Sequence, residues 1–421
     1  MLIGAPRGTK DILPHVSVYW QYLEKAILNV CTNYGYEEIR TPVFEHTELF
    51  NRGIGDTTDI VEKEMYTFMD RGGRSITLRP ENTAAVVRAY IENKLHADSP
   101  LIKLFYIGPM FRYDRPQAGR FRQFHQFGAE AIGLPGADVD AEIILLAVDF
   151  LSMLGLKELK LLLNSVGCPQ CRPLYKEKLQ EFLRNKYNIL CPDCKGRFER
   201  NPMRILDCKN PACQEAIKGA PTLNEYLCLD CSTHFSSLQH LLQAVNVGFT
   251  LDNKLVRGLD YYTKTAFEIQ YTPLGAQSAV CGGGRYDGLV AEVGGEPTPG
   301  IGFAVGLERV LLALESQNLL PDKNRHIDAF VIFAGENTEQ AAFKVTTALR
   351  RACLKTQMDF CGRSIKSQMK LANRLNAKYV LIIGEEELKN NCLSMKNMQT
   401  GNQQQVALAD IEKIITKIEV E

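Results

Sequence analysis

Four arginines surround one pair of predicted β-strands. The stretch Phe105–Gly133, FYIGPMFRYDRPQAGRFRQFHQFGAEAIG, contains an apolar strand that ends at Arg112 and a second strand rich in polar and aromatic residues. Turn-forming residues lie between the two strands and favour a hairpin loop. Because side chains alternate along a strand, every second residue shares one face. That face carries Arg120, Arg122, Phe124, Gln126 and Glu130.

These residue types favour a phosphate-binding or nucleotide-binding surface. Guanidinium groups stay protonated and bind phosphate oxygens in pairs. At a rise of about 3.4 Å per residue, the strand from Phe124 to Glu130 spans about 20 Å, the length of a nucleotide joined to a small second substrate. From the spacing alone, the solvated face of an exposed antiparallel strand is an equally good interpretation.

The cysteines form a second pattern. Eight of the 13 lie between Gly167 and Ser232 in four pairs. Two such pairs complete the tetrahedral sulfur shell of a structural zinc site, so eight thiols could hold two Zn²⁺ ions. Buried free cysteines and redox-active pairs are the alternatives, and the clustering disfavours both. The pairs are Cys168 with Cys171, Cys191 with Cys194, Cys208 with Cys213, and Cys228 with Cys231.

The composition narrows the class of protein. A length of 421 residues suggests about three domains. Lysine plus arginine equals aspartate plus glutamate, 49 each, so any contact with RNA must come from local patches. The N-terminus lacks the apolar core of a signal peptide, and the most apolar run, AEIILLAVDFLSML, is interrupted by Asp149. We therefore expect a cytoplasmic protein that does not associate with membranes.

Two patterns of strands and helices divide the chain. Mixed strands and helices without regular βαβ repetition predict an α+β core around an antiparallel sheet in residues 1–325. From residue 326 to 421, buried strands alternate with helices, which is typical of a separate α/β domain. Lys366, Lys370 and Arg374 recur every four residues and share one helix face. A solvated face is the commoner meaning of such a run, and binding of RNA phosphates is the other.

Several segments resemble those of a known family. FRYDRPQAGRFRQFHQFGAE resembles the second signature motif of class II aminoacyl-tRNA synthetases, specifically that of bacterial-type histidyl-tRNA synthetases. LVRGLDYYTKTAFEI and AVCGGGRYDGL are similar to the two histidine-specific motifs of this family, and GIGFAVGLERVLLAL to the third class II motif. APRGTKDILP, TPVFEHTELF and LRPENTA extend the likeness across nearly the whole chain.

The resemblance implies a fold and a domain order. It implies a dimeric class II catalytic core in residues 1–325, interrupted by a cysteine-rich insertion in residues 167–248, and a C-terminal α/β anticodon-binding domain in residues 326–421. The family carries an insertion at this place but does not require cysteines in it. The zinc hypothesis therefore rests on the spacing of the cysteines.

The resemblance also implies a reaction: histidine and ATP, with Mg²⁺, give histidyl adenylate and pyrophosphate, and histidine is then transferred to tRNA(His). The implied catalytic residues are Arg112, Arg257 and Arg309. The implied ATP-binding residues are Arg112, Arg120, Phe124 and Arg309. The implied histidine-binding residues are Glu81, Asn82, Thr83, Arg112, Gln126, Glu130, Arg257, Tyr261 and Tyr262. The candidates for tRNA binding are Arg115, Gln117, Arg122, Lys366, Lys370 and Arg374.

One residue departs from the family pattern, and two other functions compete. Asn82 stands where the family usually has glycine, and we expect asparagine to preserve the turn because it tolerates left-handed backbone. The histidine-binding regulatory subunit of ATP phosphoribosyltransferase resembles the same core, but it lacks the anticodon-binding domain and departs from the catalytic motifs. A zinc-stabilised RNA-binding module would leave Glu130 and Tyr262 unexplained.

Overall fold

The computed structural model describes residues 3–55, 58–322 and 326–420. The chain divides into two compact units, Met1–Pro321 and Asp322–Glu421. The strands of the first unit are β1 (Glu37–Glu38), β2 (Phe44–His46), β3 (Tyr66–Met69), β4 (Ser75–Leu78), β5 (Ile102–Phe111), β6 (Gln123–Ile132), β7 (Leu159–Ser165), β8 (Thr250–Leu251), β9 (Thr263–Tyr271), β10 (Ala279–Arg285) and β11 (Gly300–Gly306).

An eight-stranded sheet forms the centre of the first unit. Its strand order is β1-β5-β6-β11-β10-β9-β7-β8. The pairs β1–β5 and β7–β8 at its edges are parallel, and the other neighbours are antiparallel. This confirms the predicted α+β core around an antiparallel sheet. A smaller sheet has the order β2-β4-β3.

Helices cover the large sheet. The helices of the first unit are α1 (Pro14–Asn33), α2 (Thr47–Ile54), α3 (Thr83–Glu92), α4 (Ala137–Met153), α5 (Arg172–Arg184), α6 (Pro192–Arg200), α7 (Pro211–Ala216), α8 (Leu229–Ala244), α9 (Leu289–Glu292) and α10 (Leu307–Ser316). Helix α4 contains the most apolar run because it packs against α1, α8 and the sheet at once. Over the described residues, none of the helices is both long and apolar enough to cross a bilayer.

The predicted hairpin is formed by β5 and β6. The two strands pair from Ile102 with Ile132 to Phe111 with Gln123, and residues 112–122 form the connecting loop. Phe127 and Ala129 are buried in the main core beside α1 and α4. Phe124 belongs to a different hydrophobic cluster, as the alternation along the strand predicts.

The cysteine-rich segment is helical. Helices α5, α6 and α7 contribute to a second hydrophobic cluster, together with residues from α3 and β5. Helix α8 instead packs its apolar side chains, Phe235, Leu238 and Leu242, into the main core with α4. The end of this segment is therefore integrated into the first unit, because its apolar face completes the packing around α4.

The second unit has its own sheet, with the order β13-β12-β14-β15-β16. The strands are β12 (Ile327–Phe333), β13 (Thr356–Met358), β14 (Ala377–Ile383), β15 (Cys392–Asn397) and β16 (Gln403–Ala407), and the helices are α11 (Thr338–Arg351), α12 (Ile365–Arg374), α13 (Glu385–Lys389) and α14 (Ile411–Val420). Strands β12, β13 and β14 are parallel, as predicted. The antiparallel strands β15 and β16 were missing from the sequence-based prediction.

Candidate active site

A cavity of about 470 Å³ opens beside strands β5, β6, β10 and β11. Ten of the predicted site residues line it. They are Glu81, Thr83, Arg112, Arg120, Phe124, Gln126, Arg257, Tyr261, Tyr262 and Arg309. Residues that are distant in sequence therefore meet around one space large enough for a small substrate.

One end of this cavity is cationic. Arg112, which follows β5, donates from Nε to the carbonyl of Pro80 at 2.8 Å, and its guanidinium lies 5.3 Å from the centre of the Phe124 ring. Arg309 of α10 donates to the carbonyls of Gly119 at 3.2 Å and Ala279 at 2.6 Å. Carbonyl partners orient these two guanidinium groups without neutralising their charge.

Arg112, Arg120 and Arg309 repel one another at this end, although Asp114 partly compensates their charge. Burial lowers the pKa of Arg309, and the positive charges of Arg120 and Arg112 lower it further. Burial also lowers the pKa of Arg112. Arg120 pairs with Asp114. An anion in the cavity would relieve the repulsion, so this end has the electrostatics of a polyphosphate site.

Arg257 is held at the wall of the cavity by one carboxylate. Its Nη1 donates to Glu268 Oε2 at 2.7 Å, and its buried Nε has no hydrogen-bond partner within the described part of the chain. A Cβ at position 282 would overlap the Arg257 guanidinium. Gly282, in the CGGG sequence, therefore lets the Arg257 side chain approach the backbone of β10 closely. Gly284 similarly gives room to the Tyr262 ring.

Two buried carboxylates lie at the other end. Glu81 accepts hydrogen bonds from the backbone of Thr83 at 2.7 Å and Ala84 at 3.0 Å. Glu130 accepts from Thr83 Oγ1 and from the Tyr286 hydroxyl, both at 2.7 Å. Burial raises the pKa of both carboxyl groups, that of Glu130 to about 8. Such a region stabilises a cationic or hydrogen-bond-donating ligand.

The comparisons with known proteins agree with this geometry. A family model described as histidyl-tRNA synthetase matches residues 8–171 and 212–310, and one described as anticodon binding domain matches residues 328–418. The curated histidine--tRNA ligase of Moorella thermoacetica is 57% identical over 98% of this chain and 97% of its own length. The chain belongs to the histidyl-tRNA synthetase family.

Further relatives cover the same length. The histidine--tRNA ligase of Desulfitobacterium hafniense strain DCB-2 is 54% identical over 99% of this chain and 98% of its own. The crystal structure of apo S. aureus histidyl-tRNA synthetase has a TM-score of 0.83 and 42% identity, and the match covers 98% of this chain and 99% of that one. The class II fold expected from the motifs is thereby confirmed.

Two residues with predicted roles in histidine binding, Glu130 and Asn82, lie outside the lining of the cavity. Glu130 lies behind it and reaches it through its hydrogen-bond partners Thr83 and Tyr286. Asn82 Oδ1 accepts from Thr41 Oγ1 at 2.6 Å and from Arg79 Nη1 at 3.2 Å. The φ of Asn82 is −121°, so the expected need for left-handed backbone at this position was wrong.

The six candidates for tRNA binding lie outside the lining of the cavity, in the loop between β5 and β6 and on helix α12. Arg115 and Gln117 are exposed in the loop between β5 and β6. The guanidinium of Arg122 lies 4.0 Å from the centre of the Tyr113 ring, away from the cavity lining. Lys366, Lys370 and Arg374 are exposed on α12, whose opposite face buries Gln368 and Ala372.

Sequence reasoning missed several residues of the site, among them Tyr106, Tyr286, Glu308 and Lys209. Tyr106 lines the cavity, and Tyr286 lines it and donates to Glu130. Tyr106 and Arg112 are an even number of positions apart, so alternation along β5 predicts that they share one face, a signal that could have been used. Lys209 also lines the cavity, although it belongs to the cysteine-rich segment. Nothing in its sequence context indicates this position, because the fold of the segment brings it there.

The eight cysteines form two groups of four. Cys168 and Cys171 meet Cys228 and Cys231, whereas Cys191 and Cys194 meet Cys208 and Cys213, and the sulfurs of each group lie within 4.8 Å of one another. In the first group, sulfur–sulfur distances of 3.6, 3.7 and 3.9 Å join Cys168 to Cys171, Cys168 to Cys228 and Cys171 to Cys231. Tetrahedral zinc with bonds of about 2.3 Å places its sulfurs about 3.8 Å apart. Both groups therefore fit zinc.

Electrostatics at these groups also favours a cation. Burial raises the pKa of the Cys231 and Cys194 thiols, and neighbouring sulfurs raise it further. For Cys168 and Cys191, burial is outweighed by hydrogen bonds from neighbouring backbone amides and sulfurs, which lower the pKa, that of Cys168 to about 7. Four thiolates are stable together only when a cation compensates their charge. Three of the four cysteines in the second group, Cys191, Cys194 and Cys208, lie outside the residues that the synthetase model matches.

Proposed function

We propose that this protein is a histidine--tRNA ligase, which activates L-histidine with ATP and transfers it to the 3′ end of tRNA(His). The curated relatives carry this name at high identity and coverage. The observation that carries the proposal is the polarity of the cavity. Arginines that repel one another occupy one end, and buried carboxylates occupy the other.

The cationic end would bind ATP. Phe124 would stack on adenine, with Arg112 on the α-phosphate and Arg120 and Arg309 on the outer phosphates. Histidine's carboxylate oxygen attacks the α-phosphorus, the bond to the bridging oxygen breaks, and pyrophosphate leaves. Arg257 would stand beside the reacting carboxylate and α-phosphate. No protein nucleophile is needed, because orientation and fixed positive charge lower the barrier to such a displacement.

The carboxylate end would bind histidine. Glu81, Thr83 and Gln126 would receive the ammonium group, and the buried Gln126 Oε1 has no partner among the described residues. Glu130, with Tyr262, would read the imidazole nitrogens. Tyr261 lines the same wall. A pocket built on hydrogen bonds rejects analogues that lack one donor, since its own buried groups would then be unpaired.

Mg²⁺ would enter with ATP and neutralise charge on its phosphates. Glu308 lines the cavity and accepts from the backbone N–H of His125, so a carboxylate of the type that Mg²⁺ prefers is available. Zn²⁺ would occupy each group of four cysteines, since the sulfur spacing fits a closed shell of structural type.

Two surfaces would contact tRNA(His). The loop carrying Arg115, Gln117 and Arg122 would approach the acceptor end beside the cavity. Lys366, Lys370 and Arg374 on α12 would bind phosphates in an anticodon-binding domain of residues 326–421. A catalytic domain of residues 1–325 with an insertion of residues 167–248 would complete the arrangement, in a cytoplasmic protein.

A homodimer is supported by the small sheet β2-β4-β3. Its outer strands expose large apolar side chains: Phe44 and Phe68, at 54% and 49% relative exposure, share one face of the sheet, and Met69, at 63%, lies on the other. Exposed apolar patches of this kind are typical of surfaces that bind another protein. A second copy of this chain would cover them.

Exchange of pyrophosphate into ATP tests the proposal. With Mg²⁺ present, we expect exchange with histidine and none with the other amino acids. A folded protein that binds histidine but supports no exchange would contradict the proposal and favour a regulatory protein. Replacing Arg257 by alanine should abolish exchange and leave the thermal unfolding midpoint close to that of the wild type.

A further inference from the structure

The geometry points to a positioning role for the first cysteine group, Cys168, Cys171, Cys228 and Cys231. It anchors residues 261–264, which carry the two tyrosines of the histidine pocket. Arg172 and Asp230 are the positioning residues that connect the cysteine group to this segment. The inference rests on the proposed histidine site and adds a dependence of histidine affinity on a remote metal centre.

The first connection is made by Arg172, the residue after Cys171. Its Nε donates to the carbonyl of Val166 at 2.8 Å, and its Nη2 donates to the carbonyl of Tyr262. The ring of Tyr262 lines the cavity. Because Arg172 holds the backbone of the same residue, displacement of Arg172 would shift the ring that faces histidine.

The second connection is between backbones. The amide of Lys264 donates to the carbonyl of Gly167 at 2.8 Å, and the amide of Val166 donates to the carbonyl of Lys264 at 2.7 Å. Lys264 has a φ of +48°, a left-handed conformation that is unfavourable for a residue with a Cβ. The register between β9 and β10 shifts at this point. The segment therefore depends on its neighbours to keep its shape.

The third connection is an ion pair. Lys264 Nζ lies 2.8 Å from Asp230 Oδ2, and Asp230 stands between Cys228 and Cys231 at the start of α8. Every connection thus begins within two residues of a cysteine of this group. Within the described residues, no hydrogen bond or ion pair joins residues 261–264 to any residue within two positions of a cysteine of the second group.

A metal ion would join the two chain segments that make these connections. It would tie residues 167–172 to residues 228–231, and both segments contact residues 261–264. By linkage, a metal that stabilises the binding-competent shape of the pocket raises histidine affinity, and histidine raises metal affinity by the same factor.

The test uses the full-length, zinc-loaded chain and measures histidine binding by calorimetry and the KM values for histidine and ATP in exchange. For Arg172→Met we expect histidine affinity to fall at least about tenfold, the effect of losing one charge-assisted hydrogen bond, with the KM for ATP within about twofold of wild type. Arg172→Lys should recover part of the affinity. Arg184→Met, an exposed arginine on the same helix, should match wild type.

Several outcomes would overturn the inference. Wild-type histidine affinity in Arg172→Met is one, and an equal rise of both KM values is another, since that indicates a general loss of structure. If Arg172→Met fails to fold, Asp230→Asn replaces it. That side chain is 74% exposed, and an unchanged histidine affinity would again refute the inference. A wild-type protein without histidine-dependent exchange would refute the proposed function itself.

Discussion

Gly302 on β11 faces Glu130 on β6, directly across the ladder that pairs the two strands. A Cβ at position 302 would overlap Glu130 Oε2. The carboxylate that is proposed to read imidazole therefore has its place because the neighbouring strand lacks a side chain at this position.

Gly302→Ala should displace Glu130 and break its hydrogen bonds with Thr83 and Tyr286. We expect the KM for histidine to rise about tenfold or more and stability to fall by roughly 1–3 kcal/mol, the usual cost of overpacking. Exchange kinetics and thermal unfolding measure the two effects. Gly196→Ala in α6 is the matched control, because its Cβ would lie 3.6 Å from the nearest atom. A wild-type KM in Gly302→Ala would contradict the assignment of Glu130.

Glu130 gives the protein a predictable dependence of stability on pH. Burial raises its pKa from 4.5 to about 8 in the folded state. Below about pH 4.5 the carboxyl is protonated in both the folded and the unfolded state, so it does not make the free energy of unfolding depend on pH. Between pH 4.5 and 8 the unfolded chain loses the proton first, so the free energy of unfolding falls as pH rises.

Glu130→Gln should remove this contribution. The difference in unfolding midpoint between Glu130→Gln and wild type should grow from pH 5 to pH 8 in favour of the variant, while its affinity for histidine falls. Thermal unfolding across this pH range and histidine calorimetry test both effects. A difference that does not change with pH would argue against a raised pKa for Glu130.

The sequence was sufficient to predict the hairpin of β5 and β6 and ten of the residues that line the cavity. Period-two alternation separates Phe124 from Phe127, and the motifs identify Arg257 and Arg309. It was insufficient for Lys209, because a helical segment carries this residue to the cavity through long-range packing. It was also insufficient for the grouping of the cysteines. The first pair along the chain meets the fourth, and the second meets the third, only once the chain is folded.

Arg309→Gln should weaken ATP binding without unfolding the protein. Repulsion from Arg120 and Arg112 offsets part of the stability that Arg309 contributes through its hydrogen bonds to Gly119 and Ala279, so its removal should change the stability of the unligated protein only a little. The KM for ATP should rise about tenfold or more, the effect of losing a charged contact with phosphate. Thermal unfolding with and without ATP and Mg²⁺ measures both effects. Marked destabilisation without ATP would mean that Arg309 acts mainly through its bonds to Gly119 and Ala279.

The two cysteine groups predict two zinc ions per chain. Metal analysis after purification without chelator should give about two, and Cys191→Ser and Cys168→Ser should each lose one. Acidification should release zinc, because thiolate ligands compete with protons. If either variant lost both ions, the two groups would not be independent sites. Well under one ion per chain in the wild type would refute both.

The basic face of α12 predicts a defect that appears only with tRNA. Replacing Lys366, Lys370 and Arg374 together by glutamine should raise the KM for tRNA(His) in aminoacylation and leave histidine-dependent pyrophosphate exchange unchanged. Each lost phosphate contact should also weaken the salt dependence of tRNA binding, since fewer counterions are released. Binding measured at several salt concentrations tests this. An unchanged salt slope would mean that these exposed side chains form a solvated helix face.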